Sequence, residues 1–168
     1  FKQKTAYEML RSLVGSEMCI RDRDQIINED TPLYSISSAA RMLGISVHTL
    51  RMYEKEGLFL PHKTESGHRL FSNRDIERLK CIRKAINEMK FSIAAIKNIY
   101  SLIPCWDIVQ CPDSDRNNCI AYNNYGKPCW TYDHKDNICK NLTCKKCEVY
   151  VNYSDCHKIR DSIKNIRK

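Results

Sequence analysis

Hydrophobic residues between positions 33 and 103 recur every three to four residues, in short runs interrupted by Ser, Gly and Pro. This spacing is typical of amphipathic helices that bury one face. The run from Tyr34 to Gly44 predicts a first helix, which the hydroxyl of Ser37 caps and the glycine ends. Ser46 is predicted to cap a second helix, from Val47 to about Glu56. Two short helices joined by a glycine-containing turn indicate a helix-turn-helix.

Beyond these helices the pattern changes to that of a hairpin and then returns to helical spacing. Leu58 to Phe71 has apolar ends around a polar centre, which predicts two short strands. A third helix is expected to begin at Ser72 or Asn73, and a fourth at Ser92, until Pro104 breaks it. The residues predicted to face inward are Ile76, Leu79, Ile82, Ile86 and Met89 in the third helix, and Ile93, Ile96 and Ile99 in the fourth.

After Pro104 the chain is polar and rich in cysteine, without a long apolar stripe. Two Pro-Cys-Trp units begin two similar halves, which indicates a degenerate internal duplication. A basic helix is predicted from Asp155 to Lys168. The expected fold class is mainly α: a winged helix-turn-helix domain over residues 33–103, followed by a small, loop-rich, metal-stabilised domain over residues 104–168.

Residues 1–32 are expected to lie outside both domains. Residues 1–23 read FKQKTAYEMLRSLVGSEMCIRDR, which closely resembles a translated sequencing-adapter string. This segment is charged throughout and lacks the long apolar core of a secretory signal. We therefore predict a non-native or disordered leader, with the native sequence beginning near Asp24, and we do not expect Cys19 to be a ligand.

The net charge of +8 is concentrated in the helix-turn-helix region. Residues 33–103 carry twelve Lys and Arg against six Asp and Glu, whereas residues 24–32 carry three acids and no base. A basic domain attracts polyanions, because each phosphate that it neutralises releases a condensed counterion. The second helix of a helix-turn-helix also fits the major groove of DNA. Double-stranded DNA is therefore the expected partner, although charge alone leaves open a solvated surface without one.

Three segments carry a family resemblance: YSISSAARMLGISVHTLRMYEKEGL, GHRLFSNRDIERL and MKFSIAAIKNI. In their order and spacing they resemble the MerR family of regulators over residues 33–103. The resemblance implies a winged helix-turn-helix that binds a pseudo-palindromic promoter site as a homodimer. Many members distort promoter DNA to activate transcription, which makes RNA polymerase a further candidate partner.

The resemblance also assigns residues. Arg51 and Tyr53 stand where the family's recognition helix carries DNA contacts, and Arg69 stands where the family has its wing arginine. Met52 and Phe71 depart from the pattern, because an aromatic residue and a Tyr are common there. Packing of Tyr53 between helix and wing remains open as an alternative. The predicted DNA-binding residues are His48, Thr49, Arg51, Tyr53, Lys63, His68 and Arg69.

Eight of the ten cysteines follow residue 104. Because no export signal is expected, metal binding is favoured over disulfides. Cys144 and Cys147 have the two-residue gap of a metal knuckle, and Cys139 adds a spacing also found in plant-type [2Fe–2S] proteins. Zinc, an iron–sulfur cluster and a thiol–disulfide switch all remain open, with His134 and His157 as spare ligands. The predicted metal ligands are Cys105, Cys111, Cys119, Cys129, Cys139, Cys144, Cys147 and Cys156.

These observations predict a bacterial, cytoplasmic transcription regulator whose cysteine-rich part senses metal or redox state. The paired Cys-Trp layout also resembles modules appended to bacterial signalling proteins. Two other classes stay open: an iron–sulfur redox protein that carries a DNA-binding domain, and a zinc-held interaction adaptor. No catalytic triad, paired acid–base carboxylates or phosphate-binding loop stands out, so no enzyme is expected. No apolar run is long enough to span a membrane.

Overall fold

A computed structural model of the chain describes residues 28–152. The predictions for residues 1–27, for Cys156 and for the helix at residues 155–168 lie outside the described residues. Within that part of the chain, no helix combines the length and the apolar character needed to cross a membrane.

The helix-turn-helix consists of α1 (Ile36–Leu43) and α2 (Val47–Lys55). The predicted cap of α1 is wrong, because Ser35 rather than Ser37 accepts the hydrogen bond from the first turn, at 3.2 Å. Ser35 has an extended backbone (φ −66°, ψ 162°), as an N-cap residue requires, whereas Ser37 already lies inside the helix. Gly44 ends α1 in the left-handed conformation (φ 61°), as the sequence predicts.

A small antiparallel sheet forms the wing. It contains β1 (Tyr34–Ser35), β2 (His62–Lys63) and β3 (Arg69–Phe71), in the order β1-β3-β2. The predicted hairpin is confirmed as β2 and β3. The sequence did not predict β1, because two residues are too few for alternation to be visible. Through the pairing of Tyr34 with Phe71, the segment before α1 is hydrogen-bonded to the wing.

Two longer helices support these elements. Ser72, one of the two predicted start positions, caps α3 (Asn73–Asn87) in a capping box. Ser92 caps α4 (Ile93–Ser101), as predicted. Met89 does not continue the buried stripe and is 53% exposed, because α3 ends at Asn87 and residue 89 no longer follows helical spacing. The predicted stripe is confirmed as buried at Ile76, Leu79 and Ile82.

The cysteine-rich region, residues 104–152, is made of short helical segments. Helices α5 to α7 have no side-chain cap hydrogen bond, so local sequence fixes their ends only weakly. The α-helices are α5 (Cys105–Ile108), α6 (Asp113–Asn118), α7 (Ile120–Asn123) and α8 (Glu148–Asn152). The 3-10 helices are Cys129–Thr131, Ile138–Asn141 and Cys144–Lys146.

One hydrophobic core joins the two regions. Trp130, Val149 and Tyr150 of the cysteine-rich region pack into the same cluster as Leu58 and Leu79 of the helix-turn-helix region. The composition of the chain therefore changes after residue 103, but the regions on either side of this position pack against each other.

Candidate nucleic-acid interface and thiol cavity

Helix α2 places polar side chains opposite its buried face. Ser46 accepts a hydrogen bond from the backbone N–H of Thr49 at 3.0 Å, which fixes the first turn. Leu50 points into the core, so the helical repeat turns His48 and Arg51 towards solvent, where both are exposed. The hydroxyl of Thr49 is half-buried and lies 2.9 Å from that of Ser46. The side chains of His48 and Arg51 are thus the most accessible of the predicted contacts on α2.

Tyr53 lies on the inner side of α2. It is 6% exposed and belongs to the hydrophobic core. Burial raises the pKa of its phenol, and the nearby Arg83 partly opposes that effect. This burial favours the alternative in which Tyr53 packs between helix and wing, so a DNA contact by its hydroxyl stays a prediction.

The wing is connected to α2 by ion pairs. Lys63 and His68 are exposed, as phosphate contact requires. The guanidinium of Arg69 donates to the carboxylate of Glu54 on α2, and the Nζ atom of Lys63 lies 3.7 Å from the same carboxylate. The hydrogen bond to Glu54 raises the pKa of Arg69. Glu54 therefore holds the wing cations beside the exposed face of α2.

Sequence reasoning missed Glu54. The signal was present, because Glu54 is one of few acids in a basic stretch of the chain. Its partner Arg69, however, is fifteen residues away, and no helical or strand spacing joins the two positions.

The predicted cysteine ligands within the described residues surround a single cavity of about 40 Å³. Most of its wall is apolar and aromatic, and Trp106, Trp130 and Tyr150 belong to it, together with His134. The structure thus brings together cysteines that lie up to 42 residues apart in sequence. The cysteines that line the cavity are Cys105, Cys111, Cys119, Cys129, Cys139, Cys144 and Cys147.

The thiols influence one another's titration. The Cys129 thiol donates to the sulfur of Cys105, which lowers the pKa of Cys105 and raises that of Cys129. Burial, reinforced by the neighbouring thiols, raises the pKa of Cys139 to about 11. Burial also raises the pKa values of Cys111 and Cys144. Several charged thiolates in so small a cavity require a positive ion to neutralise them.

The donor set suits a thiophilic metal or cluster, because seven thiols border one cavity. Across residues 28–152, no three His, Cys, Asp or Glu side chains already converge on one point where an ion would sit. His134 is held at the rim, with Nε2 2.9 Å from the carbonyl oxygen of Cys129. The Nδ2 group of Asn137 lies 3.5 Å from the sulfur of Cys119.

A second, more open groove of about 480 Å³ lies between the two regions. Glu54 and Lys55 of α2 border it on one side, and Lys63 of the wing on another. Trp130 and Cys144 line both this groove and the thiol cavity. These two residues therefore lie between the thiol cavity and the groove that borders α2.

Comparison with known proteins agrees with this architecture. Residues 34–102 match the family described as MerR HTH family regulatory protein. The chain is 40% identical to HspR of Streptomyces coelicolor over 76 residues, which are 45% of this chain and 50% of that protein. It is 36% identical to the HTH-type transcriptional regulator ZntR of Escherichia coli K12 over 72 residues, 42% of this chain and 50% of ZntR.

A third relative is the heavy metal-dependent transcription regulator 2 of Rhizobium meliloti. It is 33% identical over 69 residues, 40% of this chain and 46% of that protein. The matches thus span about half the length of these relatives. Helix α2, the wing and the two supporting helices all fall inside the matched residues 34–102. Over these residues, less than half of the chain, the protein is similar to the MerR HTH family.

Proposed function

We propose that this chain is a sequence-specific DNA-binding transcription regulator. Helix α2 enters the major groove and presents His48 and Arg51 to base edges, while Lys63 and His68 of the wing contact phosphates. The observation that carries the proposal is the pairing of Glu54 with both Lys63 and Arg69, which fixes the wing beside the exposed face of α2.

The proposed DNA site is pseudo-palindromic, and the protein binds it as a homodimer in the bacterial cytoplasm. A two-fold symmetric protein matches a two-fold symmetric site, with half-sites separated by about one helical turn. RNA polymerase is the further partner if the regulator activates transcription. The names of the relatives support regulation as the role, since ZntR and the Rhizobium protein are both described as transcription regulators.

The first experiment is selection of bound duplexes from a random pool, followed by affinity measurements on the enriched sequence. Arg51→Ala is then expected to weaken binding by about 1–3 kcal/mol if Arg51 contacts a base edge. If Arg51 instead contacts a phosphate, Arg51→Ala should reduce the salt dependence of binding, because the magnitude of the slope of log K against log [salt] falls by about one.

The matched control is Lys80→Ala. Lys80 is also an exposed cation, but it lies on α3 and pairs with Glu77. Its removal should leave the affinity almost unchanged. Failure to enrich any sequence would contradict the proposed function, and equal effects of the two substitutions would contradict the role given to α2.

We further propose that the cysteine-rich region holds a thiophilic metal. The candidate ligands are Cys139, Cys144 and Cys147, completed by another cysteine of the cavity wall or by Cys156. Bound zinc would supply folding energy, whereas an iron–sulfur cluster would supply one-electron chemistry. The Rhizobium relative, which is described as heavy metal-dependent, supports metal as the signal.

The test is metal content together with an absorption spectrum, on the full chain purified without oxygen. Iron with acid-labile sulfide and visible absorption would identify a cluster and a redox signal. Stoichiometric zinc without colour would identify a zinc site. Absence of both, with all thiols reactive towards a thiol reagent, would contradict metal binding without affecting the DNA-binding proposal.

A further inference from the structure

Arg78 of α3 is a buried cation whose neighbours come from both regions. It is 1% exposed. Its Nε atom donates to the carbonyl oxygen of Leu58 at 3.3 Å, and Nη1 donates to that of Tyr150 at 3.0 Å. Among the described residues, Nη2 has no hydrogen-bond acceptor. A buried charge is costly unless its surroundings compensate it, so the groups around Arg78 decide how stable this arrangement is.

Three aromatic rings provide that compensation. The guanidinium carbon of Arg78 lies 4.1 Å from the ring centroid of Tyr150, 5.0 Å from that of Trp130 and 5.3 Å from that of Tyr100. Each distance is within the range of a cation–π interaction. Tyr150 and Trp130 belong to the cysteine-rich region, so the Arg78 charge is fully surrounded only while that region is docked.

The same two rings are hydrogen-bonded to the segment between α2 and the wing. The indole N–H of Trp130 donates to the carbonyl oxygen of Gly57 at 2.8 Å, two residues beyond the end of α2. The hydroxyl of Tyr150 accepts from the backbone N–H of Leu60 at 2.7 Å, two residues before β2. Both rings also line the thiol cavity. They are therefore a direct physical connection between the thiols and the recognition helix.

Lys145 makes a second connection. It lies between Cys144 and Cys147 in sequence, and its Nζ atom donates to both oxygens of Asp75, at 2.7 and 2.8 Å. Asp75 forms the capping box of α3. Lys145 also donates to the carbonyl oxygen of Leu60 at 2.7 Å. The cysteine knuckle is thus ion-paired to the helix that supports the wing.

We infer that Trp130 and Lys145 transmit the occupancy of the thiol cavity by a thiophilic cation or cluster to the junction between α2 and the wing. This inference rests on the proposed function. Coordination would fix the positions of Cys129 and Cys144, and Trp130 and Lys145 each follow one of them in the chain. The ligand then shifts DNA affinity by its preference for the docked arrangement, in which Arg78 is fully surrounded.

The duplicated Pro-Cys-Trp unit provides a matched pair of variants. Trp106 and Trp130 both line the cavity, but Trp106 packs edge-to-face against Tyr122, whereas Trp130 reaches Gly57 and Arg78. Trp130→Phe keeps an aromatic ring and removes the hydrogen bond to Gly57. Trp106→Phe makes the same substitution at a tryptophan that lines the cavity but not the groove beside α2.

The experiment measures binding of the full chain to the selected duplex, with and without Cd²⁺ as the thiophilic probe. Wild type and Trp106→Phe should show the same ratio of affinities, within the roughly 5- to 150-fold range of known allosteric couplings. Trp130→Phe should bind as much Cd²⁺ as wild type, with a ratio of affinities that is clearly reduced towards one. In Trp106→Phe, the fluorescence of the remaining Trp130 should change on adding Cd²⁺.

Three results would overturn the inference, each in a distinguishable way. Cd²⁺ binding to wild type without a change in DNA affinity would contradict the coupling but not the metal site. An unchanged ratio of affinities in Trp130→Phe would contradict the role given to Trp130 in transmitting it. No Cd²⁺ binding to wild type would contradict the proposed metal function, and the inference with it. If Trp130→Phe does not fold, Lys145→Gln at the partly exposed ion pair replaces it, with the same reduction of the ratio expected.

Discussion

The helix-turn-helix region and the cysteine-rich region are stabilised in different ways. In the first, serine hydroxyls cap all four helices, and α3 alone runs for 15 residues. In the second, the α-helices have at most six residues, and α5 to α7 lack side-chain caps. The first region is specified by local signals and its own core, whereas the second depends on its thiols and on docking against the first.

The largest effect that tests this comparison is loss of a core leucine. Leu79 is 0% exposed on α3, so Leu79→Ala should lower the free energy of unfolding by about 2–5 kcal/mol, because it leaves a cavity. Leu142→Ala is the matched change in the cysteine-rich region, where Leu142 is 47% exposed, and should cost less than about 0.5 kcal/mol. Chemical denaturation measures both, and similar losses would show that the comparison is wrong.

A smaller effect is expected from removing a helix cap. Ser46→Ala should reduce stability by about 1 kcal/mol, because the backbone N–H of Thr49 loses its acceptor. Ser114→Ala in α6 is the control, since its hydroxyl bonds only the side chain of Asp115, at 3.3 Å. Denaturation curves for the two variants should differ. A larger loss for Ser114→Ala would mean that the cysteine-rich region is capped more strongly than its geometry indicates.

The smallest effect concerns a partly exposed ion pair within the first region. The hydrogen bond from Lys97, at 2.8 Å, lowers the pKa of Glu56 below its ordinary value of 4.5. A lowered pKa means that the pair stabilises the folded state above that ordinary value and is lost as the pH falls through the folded pKa.

Melting temperatures of wild type and Glu56→Gln should therefore differ slightly at neutral pH and converge at acid pH. Salt should reduce the difference. Asp113→Asn, which removes the exposed partner of Arg116, is the control in the cysteine-rich region. A difference between wild type and Glu56→Gln that grows on acidification would have the wrong sign for this pair.

Local patterns predicted most of the first region. The turn at Gly44, the caps at Ser46 and Ser92, the hairpin and the stripe on α3 all follow from residues within a few positions of one another. The cap of α1 was placed wrongly, because three serines lie together at Ser35, Ser37 and Ser38 and only the backbone of the short strand distinguishes them.

The sequence could not predict how the two regions meet. The cysteines were identified as a set, but the sharing of one cavity by seven of them depends on contacts across many residues. No local pattern distinguishes Arg78 from the other cations of this basic region, although it is buried. Its partners Trp130 and Tyr150 are 52 and 72 positions away, and no periodicity connects such positions.

Gly57 limits how this architecture can be re-engineered. Its positive φ (73°) suits glycine, and a Cβ built there would overlap the side-chain methyl of Thr131 in the cysteine-rich region. The cysteine-rich region therefore cannot be transferred to another protein without the residues that it packs against. Grafted onto another helix-turn-helix protein, it would need glycine at this position and an arginine equivalent to Arg78 on the supporting helix. Chimaeras that lack either residue should fold as two unconnected parts.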